Sequence, residues 1–120
     1  MDLFDRGGRS SAWLEGDLIF DVRGRPVAFV KGEEVRSYAT GTVIGWWASG
    51  WLRDLSGRCL AFGDGAKEGP ARPSAVTVPP RRVSQLLPPR PKPQGEAKRP
   101  PFNPVWSGFA IEAWMERARE

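Results

Sequence analysis

Apolar residues in the first half of the chain occur in short runs separated by turns that contain glycine. Leu18-Ile19-Phe20, for example, leads into the turn Asp21-x-x-Gly24, and a second run from Pro26 to Val30 follows. Runs of about four to six apolar residues bounded by turn residues are typical of β-strands. Eight such strands fill residues 2–65 and leave no room for helices. The sequence therefore predicts that this region is all-β.

The strand-turn-strand pattern recurs four times, with turn glycines at spacings of 16, 17 and 16 residues. Asp is favoured at the first position of such a turn and Gly at the fourth, where a left-handed backbone lets the strands pair beside a bulge. Four hairpins are therefore predicted, and they need a shared centre because one hairpin cannot bury an apolar face alone. The aligned positions are Asp5, Asp21, Tyr38 and Asp54, then Gly8, Gly24, Gly41 and Gly57.

The third repeat departs from this pattern. Tyr38 stands in the Asp position and Thr42 in the following Arg position, and we place one extra residue near Ala48 and Ser49. It is also rich in tryptophan, with Trp46 and Trp47 adjacent in one strand.

The second strand of each repeat carries a small residue followed by an aromatic one. Strand alternation places Val27 and Phe29 on one face and Ala28 and Val30 on the other. We interpret the aromatic column as the core and the small residue as a point of close approach. The four pairs are Ala12-Trp13, Ala28-Phe29, Gly45-Trp46 and Ala61-Phe62.

Composition changes sharply after residue 65. Residues 69–104 hold eleven of the twelve prolines, and residues 66–104 carry eight Lys/Arg against two Asp/Glu, whereas residues 1–65 carry eight against nine. Such a segment favours extended polyproline II structure, so we predict a linker over residues 66–104. Its apolar interruption, residues 83–87, is a candidate for an added strand or for docking on the first domain.

Residues 105–120 are periodic again and predict an amphipathic C-terminal helix. Trp106, Phe109 and Trp114 follow at helical spacing, with Asn103-Pro104 as cap and first helical residue. A helix of about three turns is marginal in isolation. We therefore expect it to dock on its own β domain or on another molecule.

Several kinds of chemistry are excluded by composition. The chain has no histidine and one cysteine, Cys59, which rules out an intrachain disulfide, a Cys/His zinc site and a Ser-His or Cys-His catalytic unit. The recurring aspartates are explained by turn formation. The recurring Arg9, Arg25 and Arg58 are either members of surface Arg–Asp pairs or an anion-binding ring. We expect no enzyme activity, no cofactor and no metal.

The N-terminus lacks the charged and apolar regions of a cleaved signal, and no apolar run approaches the roughly 20 residues needed to cross a bilayer. We expect a soluble cytoplasmic protein without membrane contact.

The four units LFDRGGRSSAWLEG, IFDVRGRPVAFVKG, VRSYATGTVIGWWASG and WLRDLSGRCLAFGDG, with the Pro/basic tract and tryptophan-containing C-terminus, resemble the bacterial "4-fold beta flower" family. The resemblance implies four hairpins arranged like petals about a pseudo-fourfold axis. The family has no assigned activity, so the resemblance implies no site residues. The D-x-x-G-R core is also similar to YD repeats of secreted toxin shells, whose units are longer and form long arrays.

Three functions are compatible with this sequence. The favoured one is a non-enzymatic interaction module, a β platform whose Pro-rich arm and helix engage a protein partner or a second copy. Non-specific nucleic-acid association through the basic tract is the alternative, and a small-ligand pocket on the pseudo-axis ranks last. The candidate partner-binding residues are aromatic, namely Trp46, Trp47, Trp51, Trp106, Phe109 and Trp114.

Overall fold

A computed structural model describes residues 1–73 and 87–119. Eight antiparallel strands form a closed barrel in sequence order, and one short helix follows near the C-terminus. The predicted all-β hairpin domain is confirmed, while most of the apolar interruption, residues 83–86, lies outside the described residues. The elements are β1 Asp2–Phe4, β2 Ser10–Glu15, β3 Leu18–Asp21, β4 Pro26–Lys31, β5 Glu34–Ser37, β6 Val43–Ala48, β7 Trp51–Arg53, β8 Cys59–Phe62 and α1 Ile111–Ala118.

The two ends of the barrel carry different turns. Two-residue turns at 16–17, 32–33 and 49–50 connect the repeats at one end. Longer turns at 5–9, 21–25, 37–42 and 54–58 form the other, which we call the Asp-turn end. There Gly24 donates its backbone N–H to the Asp21 carbonyl at 3.0 Å and has a φ of 81°. The predicted turn chemistry is confirmed, since only glycine adopts this conformation without cost.

Each hairpin contains a β-bulge at the same place. The pairing register shifts by one residue beside Ser11, Val27, Ile44 and Leu60. A bulge interrupts strand alternation, so Val27 and Leu60 pack in the same cluster as Ala28 and Ala61. The predicted grouping of Val27 with Phe29 is therefore wrong.

Aliphatic and small side chains fill the barrel, with one large and one small residue paired in each repeat. Leu3 pairs with Ala12, and the equivalent pairs are Ile19–Ala28, Val35–Gly45 and Leu52–Ala61. Leu3, Ile19, Val35 and Leu52 are fully buried. A Cβ on Gly45 would lie 2.3 Å from the Arg53 carbonyl oxygen, so the predicted close approach is confirmed there.

The aromatic column is buried, as predicted, but it does not belong to the cluster that fills the barrel. Trp13, Phe29, Trp46 and Phe62 alternate with the inward small residues and form an outer layer. Trp13 stacks on Phe20 with ring centroids 5.3 Å apart, and Phe62 belongs to a separate cluster with Trp51 and, at its edge, Trp106. The strands fill the inside of this narrow barrel with aliphatic and small side chains, so their large rings pack outside it.

The extra residue of the third repeat lies in its long turn. Ser37 donates its N–H to the Thr42 carbonyl and Gly41 donates to the Ser37 carbonyl, both at 2.8 Å. Ser37 therefore occupies the Asp position and Tyr38 is the first residue of a turn that is one residue longer. The predicted alignment of Tyr38 with aspartate, and of the extra residue with Ala48 and Ser49, is wrong.

The C-terminal helix is present but begins later than predicted. It spans Ile111–Ala118, and its N-cap residue, Ala110, makes no side-chain hydrogen bond to the helix. Residues preceding it pair with β8 instead, since Cys59 donates to the Val105 carbonyl at 2.9 Å and Ser107 donates to the Cys59 carbonyl at 2.7 Å. The helix docks in cis, with Ile111 and Met115 buried in the barrel cluster. Among the described residues, no helix is long and apolar enough to cross a membrane.

Candidate functional site

Two buried arginines occupy a repeated position on the outer face of the barrel. The residue after each inward aliphatic residue is Phe4, Phe20, Arg36 or Arg53. Arg36 is 5% exposed and Arg53 is 4% exposed. Buried arginines are rare unless their donors are satisfied, so the partners of these guanidinium groups define the site. These two arginines were not predictable from the sequence, because no local pattern separates them from surface arginines.

Arg36 binds the tail, which we define as residues 87–110. Its Nη1 donates to the Gly41 carbonyl at 2.9 Å and to the Gln94 carbonyl at 3.0 Å, and both Nη atoms donate to the Gly95 carbonyl at 3.2 Å. Nη2 also pairs with Glu34 at 3.1 Å. The guanidinium thus joins its own turn to the passing tail.

Arg53 makes the same kind of contact one repeat later. Its Nη1 donates to the Gly57 and Asn103 carbonyls, both at 2.9 Å, and the guanidinium lies 4.6 Å from the centre of the Phe102 ring. The Nε atoms of Arg36 and Arg53 are both buried without a hydrogen-bond partner among the described residues. We call the two arrangements the arginine clamps.

The turn glycines complete each clamp by allowing the tail to come close. Gln94 donates its N–H to the Gly41 carbonyl at 3.0 Å, and Asn103 donates to the Gly57 carbonyl at 3.2 Å. A Cβ on Gly41 would lie 2.1 Å from the Lys92 carbonyl oxygen, and one on Gly57 would lie 2.7 Å from the Pro101 carbonyl oxygen. Glycine at these positions thus serves both the turn and the tail.

Two arginines of the tail pair with acidic residues at the opposite end of the barrel. Arg90 forms two bonds of 2.8 Å to the Asp17 carboxylate, and these bonds hold the pKa of Asp17 below its ordinary value. Arg99 pairs with Glu33 at 2.8 Å. Asp17 and Glu33 are equivalent residues of successive two-residue turns, so the ion pairs follow the repeat as the clamps do.

The Asp position at the Asp-turn end has two roles. One oxygen of each side chain accepts backbone N–H groups of its own turn, as Asp54 Oδ1 does from Ser56 and Arg58 at 2.9 and 3.1 Å. In Asp21 and Asp54 the second carboxylate oxygen binds the C-terminal segment. Asp54 Oδ2 accepts a hydrogen bond from Ser107 Oγ at 2.5 Å, and Asp21 Oδ2 pairs with Arg119. In the third repeat Ser37 Oγ donates to the Ala118 carbonyl at 2.5 Å.

The predicted partner-binding aromatics do not form one surface. Trp46, Trp51 and Trp114 are buried, at 3%, 1% and 7% exposure, and Trp47 and Trp106 are half-buried. The indole N–H groups of four of them donate within the chain; Trp51 Nε1, for example, donates to the Lys67 carbonyl at 2.9 Å, and the others are those of Trp46, Trp106 and Trp114. Phe109 is 54% exposed. Of this set, Phe109 offers the largest free apolar surface.

An apolar groove lies beside Phe109 at the Asp-turn end. It has a volume of about 330 Å³ and lies between the turn at 54–58 and helix α1. Leu55, which is 51% exposed, stands on its rim. Ile44 and Trp114 line it, and Arg117 is its basic lining residue.

The candidate anion contacts Arg9, Arg25 and Arg58 are exposed on three separate long turns. Arg25 pairs with Asp21 at 2.9 Å. The alternative to such pairs, an anion-binding ring formed by the three arginines, stays a prediction. Cys59 is fully buried, and this burial raises the pKa of its thiol. Within residues 1–73 and 87–119, no group of three or more potential metal ligands is present.

The fold and its contacts define a class of protein: four β-hairpins with pseudo-fourfold symmetry, closed into a barrel and covered at one end by a C-terminal helix. The family model of the 4-fold beta flower protein matches residues 1–115. The chain therefore belongs to that family. No curated protein and no solved structure gives a significant match.

Proposed function

We propose that the chain is a non-enzymatic protein-interaction module whose contact surface is the apolar groove at the Asp-turn end. The observation that carries the proposal is the exposure of two large apolar side chains at one place, Leu55 at 51% and Phe109 at 54%. Exposed apolar side chains grouped beside a concave surface are typical of interaction sites. Two of the predicted partner-binding residues, Phe109 and Trp114, border this groove.

The chemistry of the remaining surface supports binding rather than catalysis. The sequence has no histidine, and the turn carboxylates Asp21 and Asp54 are engaged by backbone N–H groups and by the C-terminal segment. A general acid or base needs a free position near a substrate proton. These groups are used for structure.

Two observations weigh against the alternative functions. Arg90 and Arg99 of the basic tract are paired with Asp17 and Glu33, which reduces the charge available for a nucleic-acid backbone. The pseudo-axis is filled by the inward aliphatic residues and by helix α1, which leaves little volume for a small ligand there.

Site-specific crosslinking tests the proposal. A photo-crosslinking phenylalanine analogue replaces Phe109 in the full chain, and the same analogue replaces Glu15, at the opposite end of the barrel, as a control. We expect a discrete protein adduct from position 109 in cells of the source organism, lost when Leu55→Asp is added. Equal adduct patterns from positions 109 and 15, or adducts insensitive to Leu55→Asp, would contradict the proposal.

A further inference from the structure

The tail carries an internal repeat that matches the repeat of the barrel. Residues 90–95 read RPKPQG and residues 99–104 read RPPFNP, so each unit begins with Arg-Pro and has an amide residue at its fifth position. The two units are nine residues apart, since 99 − 90 = 9. The barrel residues that they contact repeat every sixteen residues. Asp17 and Glu33 are the contacted residues of the two-residue turns, and Gly41 and Gly57 are the contacted turn glycines.

Each unit of the tail makes the same contacts with the barrel. Its first residue, Arg90 or Arg99, pairs with an acidic residue of a two-residue turn. Its third residue passes over a turn glycine, where its carbonyl oxygen leaves no room for a Cβ. Its fifth residue donates its N–H to that glycine's carbonyl and accepts from a buried arginine. The correspondence at three points shows that one recognition geometry is used twice.

The contacts explain the composition of the units. The hydrogen bonds to the clamps use the main-chain N–H of the fifth residue and carbonyl groups, so proline at earlier positions removes no donor that the contacts need. Proline also restricts the free chain to extended conformations, which lowers the entropy lost on binding. Guanidinium groups bound to carbonyl oxygens select a path of the main chain and tolerate different side chains.

We propose that the outer face formed by Asp17, Glu33, Arg36, Arg53 and the turn glycines Gly41 and Gly57 is a two-site receptor for a proline-rich peptide. The peptide carries two Arg-Pro-led units nine residues apart and comes from a partner polypeptide. The chain's own residues 90–104 occupy the receptor as a built-in ligand. The acidic turns match the arginines of such a peptide in charge, and the buried arginines match its carbonyls. The inference rests on the interaction-module function but uses a surface distinct from the Phe109 groove.

Weakening the built-in ligand should open the receptor to a peptide in trans. In the full chain, the double substitution Gln94→Pro and Asn103→Pro removes the two tail N–H donors, and near-UV circular dichroism checks the fold. A fluorescent peptide of residues 90–105 is then titrated by polarisation. We expect saturable binding to this variant, at least tenfold tighter than to the unsubstituted chain, whose own tail competes.

Two controls make the test specific. Deletion of Glu96 and Ala97 from the peptide shortens the spacing to seven residues, and binding should weaken at least tenfold. Adding Arg36→Met and Arg53→Met to the chain should cause a comparable loss, because the carbonyls lose charged donors. Failure of the folded variant to bind the peptide, or equal affinity for the shortened peptide, would overturn the proposal.

A second measurement covers the case in which the variant does not fold. A protease site placed within residues 74–86 allows the otherwise unsubstituted chain to be cut after folding. Native mass spectrometry then follows the exchange of the C-terminal fragment with an isotope-labelled copy of residues 87–119. Exchange supports a reversible receptor and its absence overturns it. Concentration-dependent dimers of the intact chain that disappear with Arg36→Met and Arg53→Met would place the occupant in a second copy, against a partner polypeptide. The Phe109 crosslink is unaffected by these outcomes, so the two proposals fail separately.

Discussion

The first two repeats and the last two share the same bulged hairpin but present different outer faces. At the position where repeats 3 and 4 carry Arg36 and Arg53, repeats 1 and 2 carry Phe4 and Phe20. Phe20 stacks on Trp13 in an apolar layer, whereas the arginines bind main-chain carbonyls of the tail. At this position, half of the pseudo-fourfold surface therefore carries phenylalanine and half carries arginines that bind the tail.

The turns at the other end of the barrel also differ between repeats. Asp17 and Glu33, which pair with tail arginines, have Gly50 as their equivalent in the third two-residue turn. The inward residues stay aliphatic in all four repeats. Because inward and outward positions alternate along a strand, a repeated fold can change its outer chemistry without disturbing its core.

The largest expected effect comes from placing the arginine of one half into the other. In Phe20→Arg, a guanidinium replaces a ring that is 7% exposed and stacked on Trp13, with no tail carbonyls shown there to receive it. An uncompensated buried charge costs about 3–5 kcal/mol. Urea unfolding followed by tryptophan fluorescence measures the loss.

The reciprocal substitution Arg36→Phe is the matched control. It leaves the Gln94 and Gly95 carbonyls without their donor but buries no charge, so the expected loss is about 2 kcal/mol, accompanied by faster hydrogen exchange at Gln94. If Phe20→Arg cost no more than Arg36→Phe, the two halves would be interchangeable and the comparison would fail.

A smaller effect is expected from adding a methyl group to a clamp glycine. Gly41→Ala forces a non-glycine residue to a φ of 81° and drives its Cβ against the Lys92 carbonyl oxygen. We expect a loss of about 2–3 kcal/mol, from backbone strain and displacement of the tail. Thermal unfolding and hydrogen exchange of the tail measure the two components.

Gly16→Ala separates strain from tail contact. Gly16 has a φ of 61°, and its Cβ would meet nothing within 4 Å, so only the conformational cost of about 1 kcal/mol applies. Equal losses of unfolding free energy in Gly16→Ala and Gly41→Ala would show that contact with the tail adds nothing to the cost at Gly41.

The fold was predictable to the extent that it depends on local signals. Asp21 and Gly24 define a turn within four residues, and the recurrence of the turn glycine at intervals of 16 or 17 residues fixes the number of hairpins. The bulge beside Val27 was not predictable in the same way, because it changes the face of a residue without changing its type. Because of that single residue, Val27 packs in the barrel cluster with Ala28, whereas Phe29 is buried outside this cluster.

The candidate site was less predictable from the sequence, because it depends on contacts between residues that are far apart in the chain. Arg36 and Gln94 are 58 residues apart, and neither belongs to a pattern that stands out alone. The nine-residue repeat of the tail, beginning at Arg90 and Arg99, was visible in the sequence. It gained meaning only when Asp17 and Glu33 were found opposite those arginines. Matching two repeats of different period is the signal that was missed.

The smallest of the three expected effects concerns Asp21, which joins its turn to the end of the chain. Burial acts to raise the pKa of this carboxyl group, but hydrogen bonds from the backbone and side chain of Arg25 and from the Arg23 backbone outweigh it and hold the pKa below its ordinary value of 3.8. A lowered pKa in the folded state stabilises the protein above the unfolded-state pKa, and this contribution is lost as the pH falls through the folded-state pKa. In the third repeat Ser37 occupies the same position and does not titrate.

Asp21→Asn should therefore cost about 1–2 kcal/mol at pH 7, the value of hydrogen bonds that lose a charged acceptor. The difference from the unsubstituted chain should begin to shrink as the pH falls below 3.8 and should close below the folded-state pKa, because the carboxylate is protonated in both states only there. Urea unfolding at a series of pH values between 7 and 2 measures this convergence, with Glu15→Gln as a control for the loss of one surface charge. A constant difference across that range would mean that Asp21 acts by shape alone, as Ser37 does in its repeat.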